Sequence, residues 1–260
     1  MAFTIKLLAG LAVAGVLAAS AFPQSSRAET LRAAVPNIVL VHGAFVDGSS
    51  WAEVVRRLQR KGYHVTAVQN PLTSLADDVA ATRRVLARQR GPVLLVGHSW
   101  AGAVITEAGN ADNVRGLVYL SALVPDSNES VADLLTRLHA PMDGMTPDAD
   151  GLVWLDAPTA FRTVMAGDVP MDKVRVLAAM QQPMAARAFA DRISHAAWHS
   201  KPSWYLVTDN DHALLPTIQR QLAHDIGAQV RHVASSHLSP VSHPQAVADF
   251  IDRAARDAAR

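Results

Sequence analysis

From Asn37 onward the chain alternates short apolar runs with stretches whose apolar residues recur every three or four positions. Ile38 to Val41, Val65 to Val68, Val93 to Val96 and Val114 to Leu120 are rich in β-branched residues and of strand length. The segments between them, Ser49 to Arg60, Ser74 to Gln89 and Ala101 to Ala108, carry helical patterns. In the second of these Ser74 is placed as N-cap, with Asp77 and Asp78 in the electropositive first turn. Strands apolar on both faces, alternating with helices, predict an α/β protein whose mostly parallel sheet is covered by helices on both faces.

The alternation stops between Asp126 and Ser200, where Pro, Gly and Asp punctuate short apolar stretches, and it resumes at Ser203. There Trp204 to Val207 and Val230 to Val233 read as strands, and Thr217 to Ile226, closed by Gly227, as a helix. Pro244 to Ala258 reads as a last helix with Pro in its first turn. The pattern therefore predicts core segments at 37–125 and 201–260, with 126–200 as a mostly helical lid inserted after the strand that ends near residue 120.

The residues before Asn37 follow neither pattern. Lys6 precedes an uncharged run, Leu7 to Ala19, which is short for a membrane span. Small residues that suit a cleavage site follow at Ala19-Ser20-Ala21 and Ser26-Arg27-Ala28. We expect a signal peptide over 1–28, cut after Ala21 or Ala28, then a linker over 29–36. The product would be exported, periplasmic or extracellular, with no stable membrane span once the signal is removed.

Composition narrows the chemistry. The 260 residues are 50% hydrophobic and 18% charged, which is enough apolar material for one well-buried domain. Lys and Arg number 24 against 23 Asp and Glu, too balanced a charge to attract a nucleic acid backbone. With no cysteine, disulfides, thiolate catalysis and Cys-ligated metals are excluded. The sequence also lacks H-E-x-x-H, P-loop and G-x-G-x-x-G patterns, so neither a metal nor a nucleotide cofactor is expected.

One motif points to nucleophilic catalysis. Gly97-His98-Ser99-Trp100-Ala101-Gly102 lies between a strand and a helix, where a sharp turn exposes a serine in strained backbone geometry and requires small neighbours. The pattern usually ends in Gly where this chain has Ala101. A serine hydroxyl is a weak nucleophile at neutral pH, so an imidazole must accept its proton and a carboxylate must orient the imidazole. Later in the chain, Asp209 and Asp211 both follow the strand that ends at Val207, and His237 lies in the loop after Val233. His232 falls inside a strand and reads as a packed or edge residue, His243 precedes a helix-opening proline, and His98 packs on neighbouring strands. Two N–H groups are needed for the developing oxyanion. Trp100, after the serine, and Ala44, in the Gly43 turn after the first strand, are placed to supply them.

These residues resemble the α/β-hydrolase superfamily, and within it the small lidded branch that holds bacterial esterases, plant methyl-ester esterases and hydroxynitrile lyases. The resemblance spans about 37–253 and rests on IVLVHGAFVDGSSW (38–51), PLTSLADDVAATRRVL (71–86), VGHSWAGAVITEAG (96–109), SWYLVTDNDHALLP (203–216) and SSHLSPVSHPQAVADFI (235–251). It implies that the acid lies five residues before the helix-opening proline; with Pro216 this selects Asp211 over Asp209. Epoxide hydrolases and haloalkane dehalogenases of this fold carry aspartate where this chain has Ser99. Hydroxynitrile lyases carry lysine where it has Leu238. The implied activity is hydrolysis of a small or medium carboxylic ester through Ser99, His237 and Asp211, by a monomer or weak oligomer that needs no cofactor. Lactonase, amidase, C–C hydrolase and haloperoxidase-like activities use the same triad and stay open, as does a ligand-binding role without catalysis. For the substrate pocket we expect Phe45, Trp154, Phe161 and Leu238. Six of the seven methionines fall within 126–200 and suit an adaptable apolar surface.

Overall fold

The structure is a computed structural model and describes residues 35–140 and 145–259. The expected signal peptide, most of the expected linker and Met142 lie outside the described residues. Strands β1 (Asn37–Val41), β2 (His64–Val68), β3 (Val93–His98), β4 (Val114–Leu120), β7 (Ser203–Thr208) and β8 (Gln229–Val233) form one sheet, and β5 (Leu152–Val153) pairs with β6 (Met184–Ala185). The large sheet runs in the order β2-β1-β3-β4-β7-β8, and its pairings are parallel throughout. Every residue of β1, β3 and β7 is buried, as befits strands covered on both faces.

Alternate side chains of each strand feed two cores. Ile38, Leu40, Leu94, Val96, Val118 and Leu120 pack with Trp51, Val54, Phe250 and Ile251. This face is covered by α1 (Ala52–Arg60) and α9 (Pro244–Asp257). Val39, Val41, Leu95, Leu117, Tyr119 and Val207 face the other way, toward α2 (Leu75–Ala87), α3 (Ala101–Ala108) and α7 (Pro216–Asp225). The predicted N-cap holds at α2, where the Ser74 side chain accepts from the Asp77 N–H, and the helix ends at Ala87, two residues before the expected Gln89. The two acids of that first turn differ in fate: Asp77 stays at the surface and Asp78 is fully buried.

Between β4 and β7 lie α4 (Val131–Arg137), α5 (Pro158–Met165), α6 (Met171–Ala179) and the β5–β6 pair. Two-residue strands are too short to show a period, so the sequence reading of this stretch as helical passes over them. The segment is tied to the first half of the chain where the Ala185 N–H donates to the Leu72 carbonyl and Gln182 donates to those of Asn70 and Pro71. A last short helix, α8 (Ser239–Ser242), follows the loop after β8.

Candidate active site

The carboxyl ends of parallel strands are where an α/β sheet offers a crevice, and the expected residues gather there. β3 runs through His98 into Ser99, whose φ of 55° puts a non-glycine residue in the left-handed region. The turn is held by Ser99 N–H donating to the Leu120 carbonyl at 3.1 Å, and by its own carbonyl accepting from Gly102 and Leu123. Gly102, rather than residue 101, bears the tightest packing: a Cβ there would fall 2.2 Å from the Leu123 carbonyl oxygen. The alanine at 101 is thus accommodated because the glycine that lets α3 approach the end of β4 comes one residue later.

Asp211 follows β7 and is buried, with its carboxylate saturated by donors. Oδ2 accepts from Thr208 Oγ1 at 2.7 Å, Gln219 Nε2 at 2.9 Å and His237 Nδ1 at 2.7 Å. Oδ1 accepts from the N–H groups of Ala213 and Leu214. Burial works to raise this carboxyl, but the His237 charge and the surrounding donors outweigh it and hold the group below its ordinary range. Asp209, its rival in the sequence, points outward to His232 at 3.0 Å, with both side chains two-fifths or more exposed.

The His237 backbone is clamped as well. Its carbonyl accepts from His98 Nε2 at 2.9 Å and from Ser121 Oγ at 3.4 Å. Burial, and then the neighbouring His237, push the His98 pKa down to about 3, so His98 is a neutral donor. Gln219, Thr208, Ser121 and His98 in this supporting role were not legible as site residues, since nothing in local pattern brings them to β7 and the His237 loop.

Ser99 and His237 both line an apolar cavity of about 470 Å3, together with Ala44, Phe45, Trp100, Trp154, Met165 and Phe189. Among the described residues Ser99 Oγ makes no hydrogen bond, and the Ala44 and Trp100 amide N–H groups have no acceptor. These two donors therefore border the cavity unspent. Gly43 sets their approach, because a Cβ there would lie 2.8 Å from Ser99 Cβ. The Trp100 ring packs edge-on against Phe189 and donates from Nε1 to Asp78 at 2.7 Å. Burial pushes the Asp78 carboxyl up to about 6, opposed by this hydrogen bond and by one from the Leu72 N–H.

Of the four expected pocket residues, Phe45 and Trp154 lie on the wall, whereas Phe161 and Leu238 do not. Phe161 is fully buried in α5, and its neighbours Ala160 and Val164 face the cavity instead. Leu238 turns into the core while its N–H donates to Met165. His212 is exposed and stands at the cavity. A larger, open groove beside Arg83, Arg84 and Arg187 runs along α2 and holds none of the triad candidates. Among the described residues no cluster of three His, Asp or Glu side chains is arranged to hold a metal.

The chain is similar to known hydrolases over most of its length. An alpha/beta hydrolase of Aspergillus novofumigatus is 26% identical over 246 residues, covering 86% of this chain and 98% of that protein. A carbendazim-hydrolysing esterase of Nocardioides is 34% identical over 119 residues, 40% of this chain and 49% of its own. The crystal structure of a pyrethroid hydrolase from Sphingobium faniae superposes with a TM-score of 0.71 at 22% identity, covering 84% of this chain and 96% of that one. With its parallel sheet and the serine turn at the end of β3, and with residues 38–250 matching the profile of the alpha/beta hydrolase family, the chain belongs to that family.

Proposed function

We propose that the protein hydrolyses a neutral carboxylic ester of small or medium size through an acyl-enzyme intermediate. The observation that carries this reading is the buried His237–Asp211 pair beside Ser99 on one apolar cavity. Ser99 Oγ attacks the acyl carbon as its proton passes to His237 Nε2. Ala44 and Trp100 N–H groups stabilise the tetrahedral oxyanion, which collapses with cleavage of the C–O bond. His237 returns the proton to the departing alkoxide, then deprotonates the water that attacks the acyl group and regenerates Ser99. Asp211, held as an anion, keeps the ring in the required tautomer and stabilises its protonated form.

The cavity supports a neutral substrate, since among the described residues that line it there is no lysine or arginine to pair with a free carboxylate or phosphate. The relative from Nocardioides, an esterase by name, supports the same reading. We further read 126–200 as a lid, because Met145, Val153, Trp154, Leu155, Ala160 and Val164 supply one side of the cavity. The amino-terminal pattern supports export, which N-terminal sequencing of the protein recovered outside the cytoplasm checks. Hydrolysis of a p-nitrophenyl ester series by the wild-type chain and by Ser99→Ala tests the activity. Turnover that disappears with the serine and peaks at one acyl length is expected; equal turnover by both chains overturns the reading.

A further inference from the structure

His237 is held from both sides by the segment that also walls the cavity. On its amino-terminal side, the Ser236 N–H donates to Asp168 Oδ2 at 3.1 Å, and Ser236 Oγ donates to Asp168 Oδ1 and to the Met165 carbonyl. On its carboxyl-terminal side, the Leu238 N–H donates to the same Met165 carbonyl at 3.0 Å. Met165 ends α5 and lines the cavity, and Asp168 lies three residues on. The His237 loop is also tied to the loop after β7, where the Asn210 N–H donates to the Ser235 carbonyl, and within itself, where Ser235 Oγ donates to the Ser236 carbonyl and bonds Ser242 Oγ. His243 Nδ1 stands 3.4 Å from Asp168. Burial acts to raise the Asp168 carboxyl, but the Ser236 hydrogen bonds and those of Ser242 and Ser235 hold it below the ordinary range, so it is an anion at neutral pH.

We propose that Asp168 is a positioning residue for the reaction, holding the backbone of Ser236 so that the His237 ring is registered between Asp211 and Ser99. Asp211 fixes the ring through Nδ1 and His98 fixes the carbonyl from the sheet side. In the segment before the ring the Ser235 carbonyl accepts from the Asn210 N–H at 3.1 Å, and Asp168 is the side chain that anchors Ser236, the residue next to the ring. The inserted segment therefore shapes the substrate cavity and registers the base at once, so a change in one reaches the other. This rests on the triad proposed above.

The test compares Asp168→Ala with Asp168→Asn, which keeps an oxygen acceptor for the Ser236 N–H, and with Ser236→Ala, which keeps that N–H. A base displaced by a fraction of an ångström loses rate without losing substrate affinity. For Asp168→Ala we expect kcat on a p-nitrophenyl ester to fall about 10- to 100-fold with KM within about twofold. Asp168→Asn should recover to within about threefold of wild type, and Ser236→Ala should lie between them. A purely structural role would lower thermal stability and yield of active protein in every variant without this split. The second readout does not depend on turnover: the low-field proton resonance of His237 Nδ1–H, identified by its loss in His237→Ala, should vanish or broaden in Asp168→Ala and persist in Asp168→Asn. A wild-type kcat in folded Asp168→Ala, a loss confined to KM, or an unchanged resonance overturns the proposal. If the wild-type chain cleaves no ester, the functional reading fails, while the resonance still decides whether Asp168 registers His237.

Discussion

Gly43→Ala is the substitution whose consequence is most directly legible in the geometry. The new Cβ would stand 2.8 Å from Ser99 Cβ and 2.9 Å from the His98 carbonyl oxygen, against about 3.4 Å for ordinary contact. Neither neighbour has room to give. His98 is the last residue of a buried strand, and Ser99 is fixed in its left-handed turn by hydrogen bonds to β4 and α3. The loop after β1 must recede instead, by about half an ångström, and it carries the Ala44 N–H with it. Removing one oxyanion donor outright costs about 10²- to 10³-fold in kcat, so partial withdrawal should cost on the order of 10²-fold. Overpacking should add a stability loss of about 1–3 kcal/mol. The assay is steady-state hydrolysis of a p-nitrophenyl ester at fixed pH alongside thermal unfolding. The expected result is a large fall in kcat with little change in KM. A folded variant that keeps kcat within about threefold of wild type would refute the placement of Ala44 as an oxyanion donor.

Other consequences divide between site and core. Asp211→Asn should lower kcat by about 10³- to 10⁴-fold by admitting the wrong His237 tautomer, whereas Asp209→Ala, at the surface, should leave it within about twofold; parallel kinetics decide between them. Asp78 has a folded-state pKa of about 6, raised from an ordinary carboxylate value by burial. The folded chain thus binds this proton more tightly than the unfolded chain does, and the charged form costs stability at pH above about 6. That cost should fade as pH drops toward 4, and denaturant titrations across this range should show its slope disappear in Asp78→Asn. Phe161→Ala, which empties a fully buried site, should cost about 3–5 kcal/mol of stability. Trp154→Ala, at a residue 46% exposed on the cavity wall, should leave unfolding nearly unchanged and alter KM across an ester series.

The sheet was legible because its strands are short apolar runs separated by amphipathic helices, a pattern that admits few arrangements. The strand-to-helix turn at Ser99 could be read for a related reason: strand, small residues and helix adjoin within one hexapeptide. Asp211 needed more, since Asp209 stands at the same strand end; what separates them is the pocket of donors from Thr208, Gln219 and the Ala213–Leu214 backbone. Pocket walls were half legible. Size and hydrophobicity suit a residue equally to a core and to a cavity, so Phe161 and Leu238 could not be told from Phe45 and Trp154 without the rotation of α5 and the path of the His237 loop. Least legible were Asp78 and Asp168. The first looks like an acid satisfying a helix terminus, the second like a loop acid, yet one lies buried against Trp100 and the other grips Ser236.

The central claim is that Ser99 is the nucleophile, and covalent capture tests it most directly. The chain is treated with a fluorophosphonate, its intact mass is measured, and the modified peptide is sequenced, with Ser99→Ala and His237→Ala in parallel. The account predicts one adduct per chain, located on Ser99, absent from the alanine variant and strongly slowed without His237. An adduct on another residue, one that persists in Ser99→Ala, or no adduct on an intact and folded chain would contradict it.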